Sequence, residues 1–342
     1  MFRRVALTLT AITLFPMSTV QAQPKAHHDR NGFKNPWPSF ISYGLTDALK
    51  MSFSLERNRP FTDIKERKVP MPVKMDWELI KKKEQDVIKA TWLGHACVLL
   101  QINGFNILLD PIFSERCSPV QFVGPKRYTD SPCQLKDLPP IDAVVISHNH
   151  YDHLDKDTIE ELSQMHPDCR FYVPLGNKAW FTMEDKERRV IELDWWEDSM
   201  LQSKIRLTCT PCQHFTGRGL FDRNKTLWAS WCIEGLDGGK IFFGGDTGYR
   251  AIPQDKIGEK FGGFDLALIP IGAYSPRWFM SPIHCCPEDA VRIGIHWGTF
   301  VLTDESVYDP PERLQKASKE LGLSEKEFDV VRLGETFVTK AQ

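Results

Sequence analysis

From residue 90 the pattern of apolar residues along the chain becomes that of β-strands. The alternating run 98–102 precedes Asn103-Gly104, the two-residue signal of a tight hairpin, and 105–110 is the predicted returning strand. Residues 141–146 form an apolar, β-branched run that is typical of a buried strand. Further strands are predicted at 171–173, 205–210, 227–234, 240–244 and 264–271.

Helix-like patterns occur between these strands and before them. Residues 157–165 predict a helix with Asp157 as its N-cap, 178–185 predict another, and 287–292 begin a third with proline and two acids in the first turn. Residues 39–54 predict an amphipathic helix that packs on the body or rests on a membrane surface. Hairpins followed by alternating strands and helices predict an α/β (α+β) fold, in which helices cover two sheets.

The N-terminus has the order of a secretory signal peptide. Arg3-Arg4 is basic, 5–15 is apolar, and Val20 and Ala22 are small, which predicts cleavage after Ala22 and a periplasmic or secreted protein. The apolar run is too short for a membrane span, which takes about 20 residues. We therefore divide the chain into a signal peptide (1–22), an N-terminal extension that packs on the body (23–88) and a main domain (89–342).

Composition narrows the possible classes of protein. The chain has 342 residues, of which 42% are hydrophobic, enough for a sizeable core. Its net charge of −2 becomes −4 when the leader, with two arginines and no acid, is removed, so nucleic acid is not an expected partner. The nine cysteines are scattered and odd in number, which argues against a disulfide scaffold. Cys209 and Cys212 are interpreted as buried thiols of a strand, with a disulfide left open.

The densest cluster of reactive side chains follows the strand 141–146. His148, His150, Asp152 and His153 form the pattern H-x-H-x-D-H, and imidazole nitrogens and carboxylate oxygens are the usual zinc donors. His148 and His150 point to one side of an extended backbone, whereas Asp152 and His153 lie past the strand end. One loop can therefore supply two adjacent metal ions. A polar turn whose histidines only form hydrogen bonds is the alternative, which this density of donors disfavours.

Three later residues extend this set because each lies at the end of an apolar run. They are His214, Asp246 and His296. Asp246 follows Gly244-Gly245, and glycines allow the backbone to approach a metal cluster closely. Each residue alone has an ordinary structural explanation, but together with the first loop they complete a ligand set.

These motifs resemble the metallo-β-lactamase superfamily, whose fold is a four-layer αββα sandwich. The similarity is closer to the branch of N-acylphosphatidylethanolamine-hydrolysing phospholipases D (NAPE-PLD) and their bacterial relatives, and it covers about residues 35–310. The segments that carry it are Thr91-Trp92-Leu93-Gly94-His95-Ala96, Asp110-Pro111-Ile112-Phe113-Ser114, Ser118-Pro119, Gly124-Pro125-Lys126-Arg127, Gly245-Asp246-Thr247-Gly248-Tyr249, Pro270-Ile271-Gly272-Ala273-Tyr274, Pro276-Arg277-Trp278-Phe279-Met280 and His296-Trp297-Gly298-Thr299-Phe300.

The resemblance implies two zinc ions: the first held by His148, His150 and His214, the second by Asp152, His153 and His296, with Asp246 bridging both. Two divalent ions about 3.5–4 Å apart can share a hydroxide and bind the oxygens of a phosphoryl group during displacement. His284 aligns with a family histidine near the substrate phosphate, where it steadies charge or protonates the leaving group. Asp155 is expected to orient a ligand histidine, and His95 is expected to be structural.

One departure from the family concerns the interval between His284 and His296, which is only 12 residues here. Relatives carry a longer segment, and Gly294 ends the predicted helix early. We hypothesise that His296 still reaches the second metal on a shortened crossover.

The expected function is that of an exported, two-zinc phosphodiesterase of phospholipase D type. It would release phosphatidic acid and N-acylethanolamine from N-acylphosphatidylethanolamine-like lipids. A lactonase of the same fold and a catalytically silent, zinc-binding envelope protein are the alternatives. Contact with a membrane surface and a homodimer are left open. Aromatic residues in 274–280 are assigned to packing, with lining of the lipid site as the alternative.

Overall fold

The computed structural model describes residues 25–54, 58–248, 253–289, 293–323 and 330–341, so the predicted leader and its cleavage site lie outside the described residues. The helices are α1 (Leu45–Ser54), α2 (Asn58–Lys65), α3 (Trp77–Lys81), α4 (Lys156–Met165), α5 (Lys186–Arg189), α6 (Pro253–Phe261), α7 (Arg277–Met280) and α8 (Asp309–Glu320). The strands are β1 (His28–Asp29), β2 (Gly32–Phe33), β3 (Val87–Gly94), β4 (Cys97–Ile102), β5 (Phe105–Leu109), β6 (Ala143–Val145), β7 (Arg170–Pro174), β8 (Val190–Leu193), β9 (Asp198–Leu201), β10 (Ile205–Thr210), β11 (Ser230–Gly235), β12 (Lys240–Phe243), β13 (Leu266–Pro270), β14 (Ile293–Ile295) and β15 (Thr336–Lys340).

Two large sheets form the centre of the molecule. The first has seven strands in the order β15-β3-β4-β5-β6-β7-β8, and the second has six in the order β14-β13-β12-β11-β10-β9. In both sheets the early strands pair antiparallel and the later ones parallel. The Asn103-Gly104 hairpin is confirmed, because β4 and β5 pair directly across it.

Alternate residues of β4 face opposite layers of the fold. Val98 and Leu100 join the core between the two sheets, whereas Leu99 belongs to the cluster that contains Ile159 and Leu162 of α4. A strand covered on both faces is apolar at nearly every position, which explains why the pattern is clear in the sequence. Complete burial of one such side chain stabilises the fold by roughly 1.5–3 kcal/mol.

The second sheet is covered in the same way on its outer face. Ile241 and Phe243 of β12 pack between the sheets, and Phe242 packs outward with Ile257 and Phe261 of α6. The layers are therefore helix, sheet, sheet and helix. This arrangement confirms the expected four-layer αββα sandwich.

Several predicted element boundaries were wrong, each for a local reason. Helix α4 begins at Lys156, with Asp155 rather than Asp157 in the N-cap position, because the Asp155 backbone is extended and its carboxylate accepts hydrogen bonds from Ser114. The helix predicted at 178–185 is only a 3₁₀ turn, Asn177–Trp180. The chain leaves that turn because Phe181 is extended and packs against Phe171, with ring centroids 5.3 Å apart.

Two other elements are shorter than predicted, and a third is described only in part. β11 begins at Ser230, since the amides of Leu227 and Ala229 bond instead to Leu175 and Ser147. The helix predicted at 39–54 starts at Leu45. At 287–292 only the 3₁₀ turn Pro287–Asp289 is seen, and the rest of that prediction lies outside the described residues.

The extension meets the body through several hydrogen bonds close to the ligand-bearing edge. Asn35 Nδ2 donates to the carbonyl of His214 at 2.7 Å, and Ser39 Oγ donates to Gln213 Oε1 at 2.7 Å. The extension therefore holds the backbone on both sides of the peptide that joins Gln213 to His214. Among the described residues, no helix has the length and hydrophobicity that a membrane span requires.

Candidate metal centre

The predicted ligands gather at one edge of the sandwich because each follows the end of a strand. The loop 147–155 follows β6, His214 follows β10, Asp246 follows β12, and His296 directly follows β14. The side chains of His148, His153, His214, Asp246 and His296 are almost fully buried. Their convergence was expected from strand ends that meet at a shared edge.

The first cluster contains His148, His150, His214 and Asp246, whose ligand atoms all lie within 4.8 Å of one another. His148 Nε2 lies 2.7 Å from His150 Nδ1, and His214 Nε2 lies 3.3 Å from the same His150 atom. Asp246 Oδ2 is 3.8 Å from His148 Nε2 and 3.6 Å from His214 Nε2. These are the residues that the resemblance assigned to the first metal, with its bridge.

The second cluster gathers Asp152, His153 and His296 against the other side of Asp246. His153 Nε2 and His296 Nε2 are 3.1 Å apart, and His296 Nε2 is 3.5 Å from Asp152 Oδ2. His296 Nε2 lies 3.0 Å from Asp246 Oδ1, whereas His153 Nε2 lies 3.2 Å from Asp246 Oδ2. The Asp246 carboxylate therefore stands between the two clusters.

His296 returns to the edge despite the short interval that precedes it. β14 pairs in parallel with β13, and His296 then takes a left-handed backbone with φ of 64°. The His296 amide donates to the carbonyl of His95 at 2.8 Å. Gly272 allows the close approach, because a Cβ there would lie 2.1 Å from the His296 carbonyl oxygen.

The donor set fits divalent metal ions. Nδ1 of His153 donates to Asp110, Nδ1 of His214 donates to the Ile283 carbonyl, and Nδ1 of His148 bonds to Ser147 Oγ. Each of these rings therefore presents its Nε2 lone pair to the centre. Two such lone pairs that face each other repel, and a cation bound between them removes the repulsion.

Burial also keeps several imidazoles in the neutral form that binds metals. Burial lowers the pKa of His150 to about 3 and that of His214 to about 4. For His296, burial pushes the pKa down, but the nearby carboxylates of Asp246 and Asp152 outweigh it and raise the pKa to about 9. A neutral imidazole is the metal-binding state, and binding displaces any remaining proton.

Asp110 is a functional residue that sequence reasoning missed. It is fully buried after β5, and its carboxylate accepts hydrogen bonds from His153 Nδ1 at 2.6 Å and from Ser147 N at 2.7 Å. The role of orienting a ligand histidine was assigned to Asp155, and that assignment was wrong. Asp155 bonds to Phe113, Ser114 and Thr158 instead.

His95 also lies closer to the chemistry than expected. It occupies the β3–β4 turn with a left-handed φ of 54°, and its Nε2 lies 2.8 Å from Asp152 Oδ2. Its ring centroid is 3.9 Å from that of His296. The sequence around the turn gave no signal that the side chain of His95 would contact a ligand 57 residues later.

His284 lies against the same centre. Its Nε2 is 3.6 Å from Asp246 Oδ2, and its ring centroid is 5.2 Å from that of His214 and 5.3 Å from that of His296. Its Nδ1 is buried and has no hydrogen-bond partner within the described part of the chain.

All nine cysteines are free thiols, so none of them forms a disulfide. Cys209 and Cys212, for which a disulfide was left open, are both buried.

Comparison with known proteins agrees with this site. Residues 105–296 match the model of the β-lactamase superfamily domain. N-acyl-phosphatidylethanolamine-hydrolyzing phospholipase D 1 of Caenorhabditis elegans is 39% identical over 333 residues, covering 90% of this chain and 92% of the relative. The mitochondrial phospholipase D of the same description from Saccharomyces cerevisiae is 38% identical, covering 66% of this chain and 50% of the relative. The metallo hydrolase Igni18 of Ignicoccus hospitalis has a similar fold, with a TM-score of 0.54 and 21% identity over 75% of this chain and all of that one.

The fold and the paired ligand clusters define a metal-dependent hydrolase of the β-lactamase superfamily. Sequence identity over nearly the whole chain identifies the family within this superfamily. The chain belongs to the family of N-acylphosphatidylethanolamine-hydrolysing phospholipases D, and its chemistry is of the phospholipase D type.

Proposed function

We propose that this protein is an exported, zinc-dependent phosphodiesterase that hydrolyses N-acylphosphatidylethanolamine-like phospholipids to phosphatidic acid and N-acylethanolamine. The observation that carries the proposal is the position of Asp246 between two ligand clusters, 3.0 Å from His296 and 3.6 Å from His214. Imidazole and carboxylate donors favour zinc. The relatives of C. elegans and S. cerevisiae support the lipid class.

Two divalent ions bound here would supply a nucleophile at neutral pH and stabilise charge on a phosphoryl group. The chain's own part is to hold the ligands rigidly, through Asp110, Ser147 and the backbone carbonyl of Ile283. His284 stands beside Asp246, and its Nδ1 has no hydrogen-bond partner among the described residues. From there it can donate a hydrogen bond to a phosphoryl oxygen or to the leaving oxygen as that bond breaks.

A cavity of about 470 Å³ lies on the side of the extension, and its lining includes Gln213, the chain neighbour of the ligand His214. Ser39, Ile41 and Trp278 line it, together with Gln213 and Pro282, which neighbour the site. This size and mixed lining suit a substituted headgroup. The other two aromatic residues in 274–280 serve packing, since Tyr274 is buried and Phe279 stacks on Tyr43. Trp278 is partly exposed and lines the cavity.

The structure removes the reason for the hypothesis that the protein binds zinc without catalysing a reaction. It depended on the short interval before His296, and His296 nevertheless lies 3.1 Å from His153. A lactonase would use the same ligands, and an assay of lactones beside phosphodiesters separates the two functions.

The test is hydrolysis of N-acylphosphatidylethanolamine in mixed micelles, with phosphatidic acid and N-acylethanolamine measured by mass spectrometry. We expect release that a chelator abolishes and zinc restores. Asp246→Asn should lose activity, whereas Asp168→Asn, a change at an exposed carboxylate outside the site, should keep it. Protein with two bound metals that hydrolyses lactones but no phosphodiester would refute the proposal.

A further inference from the structure

Two loops beside the metal centre have solvent-exposed apolar residues at their tips. In the loop 115–127, Phe122 is 83% exposed and Val123 58% exposed. In the loop 216–226, Leu220 is 92% exposed and Phe221 87% exposed. Single exposed apolar residues are ordinary, but adjacent pairs at two neighbouring loop tips mark an interaction surface.

The loop 216–226 is anchored to the ligand loop by hydrogen bonds, and the loop 115–127 shares a cavity with both. Arg218 Nη1 donates to the carbonyls of Asn149 at 2.8 Å and Leu154 at 2.7 Å, and Tyr151 donates to the Arg218 carbonyl at 2.8 Å. A cavity of about 440 Å³ between the loops is lined by Phe122, Tyr151 and Arg218, among others. The two tips therefore stand on either side of the solvent-facing part of the ligand loop.

The charge of these loops differs from that of the chain. The loop 115–127 holds three basic residues and one acid, and the loop 216–226 holds three basic residues and one acid, so each has a net charge of +2. The whole chain has a net charge of −2. The loops therefore combine apolar tips with a positive net charge. This combination fits a membrane surface, where anionic headgroups lie outside the hydrocarbon.

We propose that the tips of 115–127 and 216–226 form a docking surface for an anionic phospholipid bilayer, with Phe122, Val123, Leu220 and Phe221 entering the headgroup region. This brings the ligand loop to the membrane, where a lipid phosphodiester lies. The choice of lipid as partner rests on the proposed function. A second copy of the chain fits less well, because a two-fold interface would set equally charged basic loops against each other.

The test is co-sedimentation of the full chain with vesicles of phosphatidylcholine, with and without phosphatidylglycerol. The variant carries Phe122→Ser and Phe221→Ser together. Its matched control is Leu236→Ser, at a residue 54% exposed beside the β11 end. β11 runs antiparallel to β10, so Leu236 lies at the end of the sheet opposite His214. Both proteins are first checked for an unchanged melting temperature.

We expect the wild type and Leu236→Ser to bind anionic vesicles, and the double variant to bind at least about tenfold more weakly. Binding should weaken as salt rises from about 0.05 to 0.5 M. Equal binding by the double variant and the wild type would overturn the proposal. So would a double variant that changes oligomeric state, because the tips would then belong to a subunit interface.

Turnover separates this inference from the proposed function. With a short-chain, monomeric substrate, the double variant should keep wild-type activity, while its activity on vesicles falls. If no phospholipid is hydrolysed but vesicle binding still depends on the tips, the docking surface stands and the proposed function fails. If the phospholipid is hydrolysed but the double variant binds vesicles as well as Leu236→Ser does, the proposed function stands and the docking surface fails.

Discussion

The imidazole of His95 lies 2.8 Å from the carboxylate of Asp152, a member of the second ligand cluster. The His95 carbonyl also accepts the amide of His296 at 2.8 Å and the indole N–H of Trp92 at 2.9 Å. One turn residue therefore positions two ligands that reach the site on separate segments. This link explains how His296 is held in place after a short crossover.

We expect His95→Ala to weaken binding of the second metal roughly 10–100-fold, because Asp152 loses the group that orients it. Isothermal titration with zinc and metal analysis after dialysis measure this directly. His95→Gln, which keeps a donor, should recover part of the affinity. His166→Gln, at the end of α4, is the control. Full retention of two metals in His95→Ala would show that the contact is only structural.

Asp110→Asn should disturb both folding and metal binding. The amide keeps one acceptor but cannot take the bonds from His153, Ser147 N and Ser147 Oγ together. An unsatisfied buried donor costs about 1–3 kcal/mol, so we expect the free energy of unfolding in urea to fall by that amount. Asp168→Asn should leave it unchanged. A stable variant with unaltered zinc affinity would contradict the orienting role.

The sandwich was predictable because its central strands are buried on both faces and leave long apolar runs such as 98–102 and 141–146. Short elements were not, since tertiary contacts decide them. Phe181 ends a helical turn early to pack on Phe171, and the amide of Ala229 bonds to Ser147, which follows a strand of the other sheet.

The ligands were predictable for a different reason, since metal donors of one loop lie close together in the sequence. The groups that orient them come from distant segments. Asp110 meets His153 43 positions away, and His95 meets Asp152 57 positions away. Neither spacing has a local signature, so only the fold reveals these partners.

His284→Asn should lower kcat by roughly 10²–10⁴-fold, as expected for loss of a proton-transferring group, while the metal content stays at that of the wild type. The metal count decides between the two roles, because His284 Nε2 and the ligand atom Nε2 of His214 both lie 3.6 Å from Asp246 Oδ2. Phosphatidate release and metal analysis on the same sample provide the two measurements. Loss of one metal equivalent would make His284 a ligand instead.

Removal of metal should destabilise the protein as well as stop its activity. The Nε2 atoms of His148 and His214 lie close to His150 Nδ1 and have burial-lowered pKa values, so this cluster is unfavourable without a cation. Zinc at 100 times its dissociation constant should add about 2.7 kcal/mol. Thermal unfolding of apo and reloaded protein measures the difference. Equal melting temperatures would argue against occupation of these buried atoms.

A separate carboxylate, Asp194, ties the start of the extension to the body. It accepts hydrogen bonds from His27 at 2.6 Å, His28 at 2.7 Å and Lys25 at 2.8 Å. Burial pushes the pKa of Asp194 upward, but these three donors outweigh it and lower the pKa from 3.8 to about 2. A carboxyl with a depressed pKa stabilises the fold above its unfolded pKa, and that stabilisation is lost as the pH falls toward the folded value.

Asp194→Asn should therefore reduce the free energy of unfolding by about 2 kcal/mol at neutral pH, and the difference from wild type should shrink below about pH 4. Urea unfolding at a series of pH values provides the comparison. Asp198→Asn, a change at a carboxylate 52% exposed on β9, should show almost no difference at any pH. A gap between Asp194→Asn and wild type that stays constant down to pH 3 would mean that packing, and not the charge of Asp194, secures the extension.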